Sequence, residues 1–257
     1  AGGILYNVPI SADKGFLPDL ESIPKEVVKM AKLMFLSYPH NPTGAICDLK
    51  YFEKVVEWAR GKNIIVAHDL TYSDIVFDGY KAPSFLQVKG SRDFSIEFHT
   101  LSKSYNMTGW RIGYAVGNAD ILKTLAKTKS YLDFGIFRAV QEAATAALEG
   151  PQDCVERMVK LYQERRDVLV DGLNAMGWKT EKPKATFYVW TRIPNKYSAL
   201  TALEFATLML DEIGVVVSPG TGFGEYGEGY VRFALVEPSE RIQRALKKIK
   251  SFLETKV

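Results

Sequence analysis

Short apolar runs alternate along the chain with longer stretches in which apolar residues recur at helical spacing. Leu33-Met34-Phe35-Leu36 precedes a periodic stretch from Leu49 to Arg60, and Ile64-Ile65-Val66-Ala67 and then Phe94 to Leu101 follow. Continuously apolar strands separated by helices are the pattern of a mainly parallel sheet with helices on both faces, so an α/β fold is predicted. Gly113-Tyr114-Ala115-Val116-Gly117 reads as a further strand, and Ala119 to Thr128 returns to helical spacing. After Gly150-Pro151 an amphipathic run from Gln152 to Met176 ends at Gly177, a residue suited to a helix C-terminus. Beyond it Phe187 to Trp190, Val215 to Val217 and Val231 to Ala234 read as strands, with helices at Leu200 to Ile213 and Ser239 to Leu253. That half predicts a smaller α+β domain, placing the domains at residues 1–155 and 156–257.

Charge and composition narrow the function classes. Lys plus Arg is 33 against 30 for Asp plus Glu, a net +3 with both signs interleaved, so no basic face for nucleic acid is expected. Hydrophobic residues at 47% and charged residues at 25% describe an ordinary folded protein. No apolar run approaches the roughly 20 residues of a membrane helix, so no membrane partner is expected. The only cysteines, Cys47 and Cys154, are far apart and lack metal-site spacing, which fits a reducing cytoplasm. The opening segment carries no Met and reads as the middle of a fold, with a strand at Ile4 to Val8; a truncated chain is the expectation.

In an open α/β sheet, ligands bind beyond the carboxyl ends of the strands. The residues at those ends here are polar. Ser37-Tyr38-Pro39-His40-Asn41-Pro42-Thr43-Gly44 follows the first strand, with Asn41 as an exposed turn amide; His68, Asp69 and Tyr72 follow the second; Ser102 and Lys103, then Arg111, follow the third. Singly, these are a turn former, a helix cap, a loop lysine and a surface arginine. Together, a lysine beside a strand-end carboxylate, hydroxyls and an arginine suits a cofactor that needs an amine for its aldehyde, a carboxylate for a pyridinium nitrogen and donors for a phosphate.

The segments 37–44, Asp69-Leu70-Thr71-Tyr72 and Ser102-Lys103-Ser104-Tyr105-Asn106-Met107-Thr108-Gly109-Trp110-Arg111-Ile112-Gly113 resemble, in this order, class I/II aminotransferases of fold type I. The resemblance runs through Gly135-Ile136-Phe137, Ala147-Leu148-Glu149-Gly150 and Lys184-Ala185-Thr186-Phe187-Tyr188-Val189-Trp190 to the C-terminus, closest in character to the alanine transaminase and LL-diaminopimelate aminotransferase branches. It implies pyridoxal 5'-phosphate as cofactor, and an L-amino acid and a 2-oxo acid as substrates. Residues 1–155 would be part of the large cofactor-binding domain. The resemblance also implies that Lys103 bonds the cofactor aldehyde and carries the proton during transfer, and that Asp69 pairs with the ring nitrogen. Asn41 and Tyr72 would bond the phenolic oxygen, Ser102 and Arg111 the phosphate, and Arg232 the substrate α-carboxylate. The family's usual homodimer shares active sites between subunits, and Lys129 to Gly135 matches a segment near that boundary. The phosphate-binding helix, the ring-stacking aromatic residue and the N-terminal arm of the family would lie upstream of Ala1, so the chain alone is expected to be incomplete as an enzyme. A β-lyase of the same fold and a catalytically silent fragment are the alternatives.

Other features read blandly. Gly222-Phe223-Gly224-Glu225-Tyr226-Gly227 fits a dinucleotide fingerprint by letter, but no helix opens from it, so it reads as a flexible loop. His68 either tunes Asp69 or packs in the core, Trp110 packs beneath the Lys103 loop, and the bland alternative for Arg232 is an ion pair with Glu237.

Overall fold

The computed structural model describes residues 2–254. The chain divides into two compact units. The first comprises Ala1–Pro39, Ile46–Val76 and Lys81–Glu156; the second comprises His40–Ala45, Phe77–Tyr80 and Arg157–Val257.

In the first unit, α1 (Lys25–Met30) leads into β1 (Leu33–Ser37), followed by α2 (Leu49–Ala59), β2 (Ile65–Asp69), β3 (Ser95–Thr100) and β4 (Gly113–Gly117). The strands form one sheet in the order β1-β2-β3-β4, the first three parallel and β4 antiparallel to β3. Helices α3 (Ala119–Leu132) and α4 (Arg138–Glu149) complete it. Helix α2 begins where the Asp48 carboxylate accepts the Tyr51 N–H, satisfying one of the amides that a helix start leaves open. It buries Tyr51, Phe52, Val55, Val56 and Ala59, one helical face. Phe52 is fully buried, with ring centroids 4.9 Å from His68 and 5.2 Å from Phe85, so truncating it to Ala would cost about 3–5 kcal/mol. Asn118 caps α3, accepting from Asp120 and Ile121 while its Nδ2 donates to Arg92 and Asp93 carbonyls.

The second unit holds most of α5 (Asp153–Ala175), then β5 (Tyr188–Arg192), α6 (Ala202–Ile213), β6 (Ser218–Pro219), β7 (Tyr230–Ala234) and α7 (Ser239–Glu254). Its antiparallel sheet runs β5-β7-β6. Thr201 and Glu204 form a reciprocal capping box on α6, which ends at Gly214 in the left-handed conformation. Helix α7 buries Ile242, Leu246, Ile249 and Phe252. The short segment Phe77–Tyr80 is held by Arg166, 2% exposed, whose guanidinium donates to both Asp78 oxygens at 2.7 and 3.1 Å and to the Pro183 carbonyl.

Two predicted strands fail. Ile4 to Val8 is irregular, with Ile4 and Leu5 almost fully exposed; an apolar run needs a strand to pair with, and it pairs with none among the described residues. Val215 to Val217 alternates buried and exposed as a strand should, but sheet pairing starts only at Ser218, opposite Arg232.

Candidate active site

In the first unit, the predicted residues gather at the carboxyl ends of β2 and β3. Asp69 ends β2, with Phe98 of β3 beside it in register. Its Oδ1 accepts both the Thr71 N–H (2.9 Å) and the Thr71 hydroxyl (2.5 Å), so an Asx turn orients the carboxylate through one oxygen only. Tyr72, two residues past Leu70, is buried. Lys103 follows β3 in a tight turn in which the Tyr105 N–H donates to Leu101 O at 3.2 Å. Asp74 joins the two strand ends, its Oδ2 accepting from the hydroxyls of Ser73 and Ser104 at 2.9 and 2.5 Å.

Ser102 is buried, its N–H donating to Thr100 Oγ1 and its carbonyl accepting from the Thr108 hydroxyl. Arg111 is exposed with φ +53°, and its Nη1 donates to Thr108 O at 2.9 Å. Thr108 thereby links both residues expected at the phosphate. Trp110 is 51% exposed, so about half of its side chain is covered.

Beneath β2 and β3 lies a polar network. His68 and Glu97 face each other in register at 0% and 1% exposure. The Tyr38 N–H donates to His68 Nε2 at 3.3 Å, so the ring proton sits on Nδ1, which donates to Glu97 Oε2 at 2.9 Å. Glu97 Oε2 also accepts the Phe85 N–H, and its Oε1 accepts from Ser84 Oγ and His99 Nε2. Burial pushes the Glu97 carboxyl up, but the hydrogen bonds from His68, His99 and Ser84 outweigh it and hold the group at about 2. His68 is thus a packed member of the sheet whose ring contacts Glu97 and Tyr38.

In the second unit, Arg232 of β7 sits between Trp190 and Ser218 across the sheet. Its Nη1 donates to Asn41 Oδ1 at 2.8 Å, and Nη2 reaches Ser218 Oγ at 3.4 Å. The guanidinium carbon lies 3.9 Å from the Tyr188 ring centroid and 4.3 Å from that of Phe223. Glu237 instead pairs with Arg241, so the Arg232–Glu237 alternative is excluded. Asn41 is half-buried, not exposed, because the turn that carries it closes on itself: His40 N–H donates to Ala45 O and Gly44 N–H to His40 O. Gly44 has φ +68°, and a Cβ there would lie 2.7 Å from Pro183 Cβ, so the turn requires glycine. Burial pushes the His40 imidazole down to about 4. The glycine-rich segment, expected as a loop, forms the 3-10 turns Gly220–Phe223 and Glu225–Gly227, where a Cβ on Gly220 would come 1.9 Å from Gly227 O. Its close packing delivers Phe223 to Arg232.

Sequence reasoning missed Thr71, Asp74, Glu97, Tyr188, Phe223 and Ser218. Asp69-Leu70-Thr71 carries the Asx-turn signal, and Glu97 and His99 stand on one face of a strand whose other face is Ile96 and Phe98.

The description "Aminotransferase class I and II" matches residues 1–249. An LL-diaminopimelate aminotransferase of Moorella thermoacetica is 53% identical over 253 residues, covering 98% of this chain and 64% of the relative. Glutamate-pyruvate aminotransferase AlaC of Escherichia coli is 51% identical, covering 98% of this chain and 61% of the relative. Among solved structures, apo BacF from Bacillus subtilis superposes with a TM-score of 0.92 at 37% identity, over 97% of this chain and 63% of that one. An aromatic aminotransferase from Pyrococcus horikoshii gives 0.90 at 31% identity, over 96% of this chain and 66% of that one. The chain thus spans somewhat less than two thirds of the curated relatives it matches. Its α/β architecture is that of fold type I, and the chain belongs to the class I and II aminotransferase family, whose enzymes depend on pyridoxal phosphate.

Proposed function

We propose that the protein carrying this chain exchanges an amino group between an L-amino acid and a 2-oxo acid with pyridoxal 5'-phosphate. The observation that carries the reading is Asp69: one oxygen is clamped by Thr71 at the end of β2, beside the strand that Lys103 follows. A carboxylate oriented through one oxygen keeps the other available as acceptor for a protonated ring nitrogen, which is the fit the cofactor requires. When bound, the cofactor supplies an aldehyde to hold the amino group and a ring that withdraws electrons from the substrate Cα.

The chain's own residues would do the rest. Lys103 anchors the aldehyde through Nζ and then carries the Cα proton, so its amine serves as both tether and base. Asp69 keeps the ring nitrogen protonated by charge pairing. The Tyr72 hydroxyl donates to the phenolic oxygen, as does Asn41 Nδ2, since Asn41 Oδ1 is engaged by Arg232. Ser102 and Arg111 hold the phosphate, and Arg232 binds the substrate carboxylate with its planar fork. These assignments go with residues 1–155 as part of the cofactor-binding domain and 156–257 as the small domain.

The named relatives include LL-diaminopimelate and glutamate-pyruvate aminotransferases, so a dicarboxylic or alanine-type amino donor is the class to assay first. A homodimer is part of the proposal: Tyr131, Leu132, Phe134 and Phe137 are 76–96% exposed in one segment, more apolar surface than a lone copy leaves to water. A cysteine pair far apart in sequence and without metal-site spacing, Cys47 and Cys154, fits a cytoplasmic setting. The test is borohydride reduction of the cofactor-loaded, full-length protein followed by peptide mapping. The adduct is expected on Lys103 and absent in Lys103→Ala; an adduct on any other lysine refutes the assignment.

A further inference from the structure

We propose that Glu97 is a positioning residue for the reaction: through His68 and His99 it fixes where β2 and β3 deliver Asp69 and Lys103. The inference rests on the aminotransferase reading, but its structural basis stands apart from it. Glu97 accepts four hydrogen bonds, two on each oxygen, and each donor belongs to a part of the chain that carries or flanks a site residue. His68 immediately precedes Asp69. His99 lies in the strand that runs into Ser102 and Lys103. Ser84 and Phe85 close the excursion that begins at Asp69 and includes Tyr72, so both ends of that excursion are fixed by neighbouring groups. His68 passes the constraint on, its Nε2 accepting the Tyr38 N–H where β1 ends.

Stability alone does not explain the network. A carboxylate at 1% exposure gives up its hydration, and apolar side chains of similar volume fill such sites at little or no cost to folding. Packing specifies a volume; hydrogen bonds specify direction. With both oxygens saturated, the carboxylate has one orientation, and His68 has one tautomer. Phe52 and Phe85 hold the His68 ring edge-on and tilted, so the ring cannot rotate to another partner without displacing them.

The experiment uses the full-length, cofactor-loaded protein with two variants, Glu97→Gln and the paired His68→Phe/Glu97→Leu. An amide oxygen can accept only half of the donors that Glu97 accepts, and its NH2 group faces the others. The paired variant replaces the network with apolar volume between Phe52 and Phe85. In ring-nitrogen NMR the His68 signals are assigned as those missing from the paired variant, which lacks that ring. The parent should show a protonated Nδ1 and an unprotonated Nε2, and Glu97→Gln should lose that pattern. In the folded variants, kcat should fall at least about tenfold and cofactor affinity should weaken, while KM for the amino acid changes less than about threefold, as for groups displaced by a fraction of an ångström. Parental kcat in either folded variant, or an unchanged His68 spectrum in Glu97→Gln, overturns the proposal. So does failure of both variants to fold, since the network would then hold the domain together and not aim its site. An inactive parent would sink the aminotransferase reading alone, leaving the His68 spectrum to decide this one.

Discussion

Replacing Arg232 by Lys keeps the charge and removes the plane. In the structure the guanidinium is packed against two rings, 3.9 Å from Tyr188 and 4.3 Å from Phe223, with one edge tied to Asn41 at 2.8 Å. An ammonium cannot donate two parallel bonds to a carboxylate, nor can it lie flat between two rings. Losing the charge-assisted fork is worth about 1.5–3 kcal/mol and weakening the ring contacts about 0.5–1 kcal/mol each. Together these predict a loss of about 2.5–5 kcal/mol in binding, a rise in KM from about seventyfold to several thousandfold. Because the carboxylate is bound alike before and during the reaction, kcat should change much less. Phe223→Ala removes one ring of the pair and predicts a smaller rise, about two- to fivefold. The assay is steady-state transamination by the full-length protein with alanine, glutamate and one further amino acid, each against its 2-oxo partner. KM values equal to the parent for two unrelated amino acids refute the reasoning and leave Arg232 as a structural arginine. A collapse of kcat at constant KM refutes it too, because the group would then act at the reacting atoms.

Asp69→Asn should lower kcat by at least about a hundredfold with little change in substrate KM, since the charge is needed chiefly in the transition state; near-parental turnover in stopped-flow assays contradicts the role. Acid should destabilise the fold in two stages. The His40 imidazole is pushed from 6.5 to about 4 by burial, so the unfolded chain binds the extra proton and stability present above pH 6.5 is lost as pH falls to 4. The Glu97 carboxyl is held at about 2 against 4.5, so its share, about 3 kcal/mol, is present above pH 4.5 and lost toward pH 2. Denaturant midpoints measured at pH 7, 5 and 3 should fall at both steps, and His40→Gln should flatten the first; a constant midpoint from pH 7 to 5 contradicts it. Phe134, 96% exposed, should be part of a self-association surface, so Phe134→Lys should shift sedimentation of the full-length protein toward monomer; an unchanged dimer rules that segment out.

What the sequence carries and what it withholds divide along a physical line. A side chain proposed to act on something outside the chain needs only its own type at a strand end, and candidates of that kind are legible: Asp69 after an apolar run, Lys103 after another, Arg232 within a third. Period also sufficed for elements that bury one face, as in α2 and α7, where the spacing of Phe52 and Val56 or Ile242 and Leu246 is itself the packing instruction. It failed at Val215 to Val217, because alternation records burial and says nothing about which residue first finds a hydrogen-bonding neighbour. The same gap hid Glu97. An acid on an apolar strand has no stated partner until β2 and β3 come into register, which sets His68 opposite it, and until the segment before β3 folds back to bring Ser84 and Phe85 to its oxygens. Arg232 shows both cases in one residue: its chemistry is written in its own side chain, but the rings and the amide that orient it come from Tyr188, Phe223 and Asn41, which only the folded chain assembles. Residues that orient others are therefore the part of a site that sequence patterns miss. They are also the part whose substitution should alter rates without touching any reacting atom.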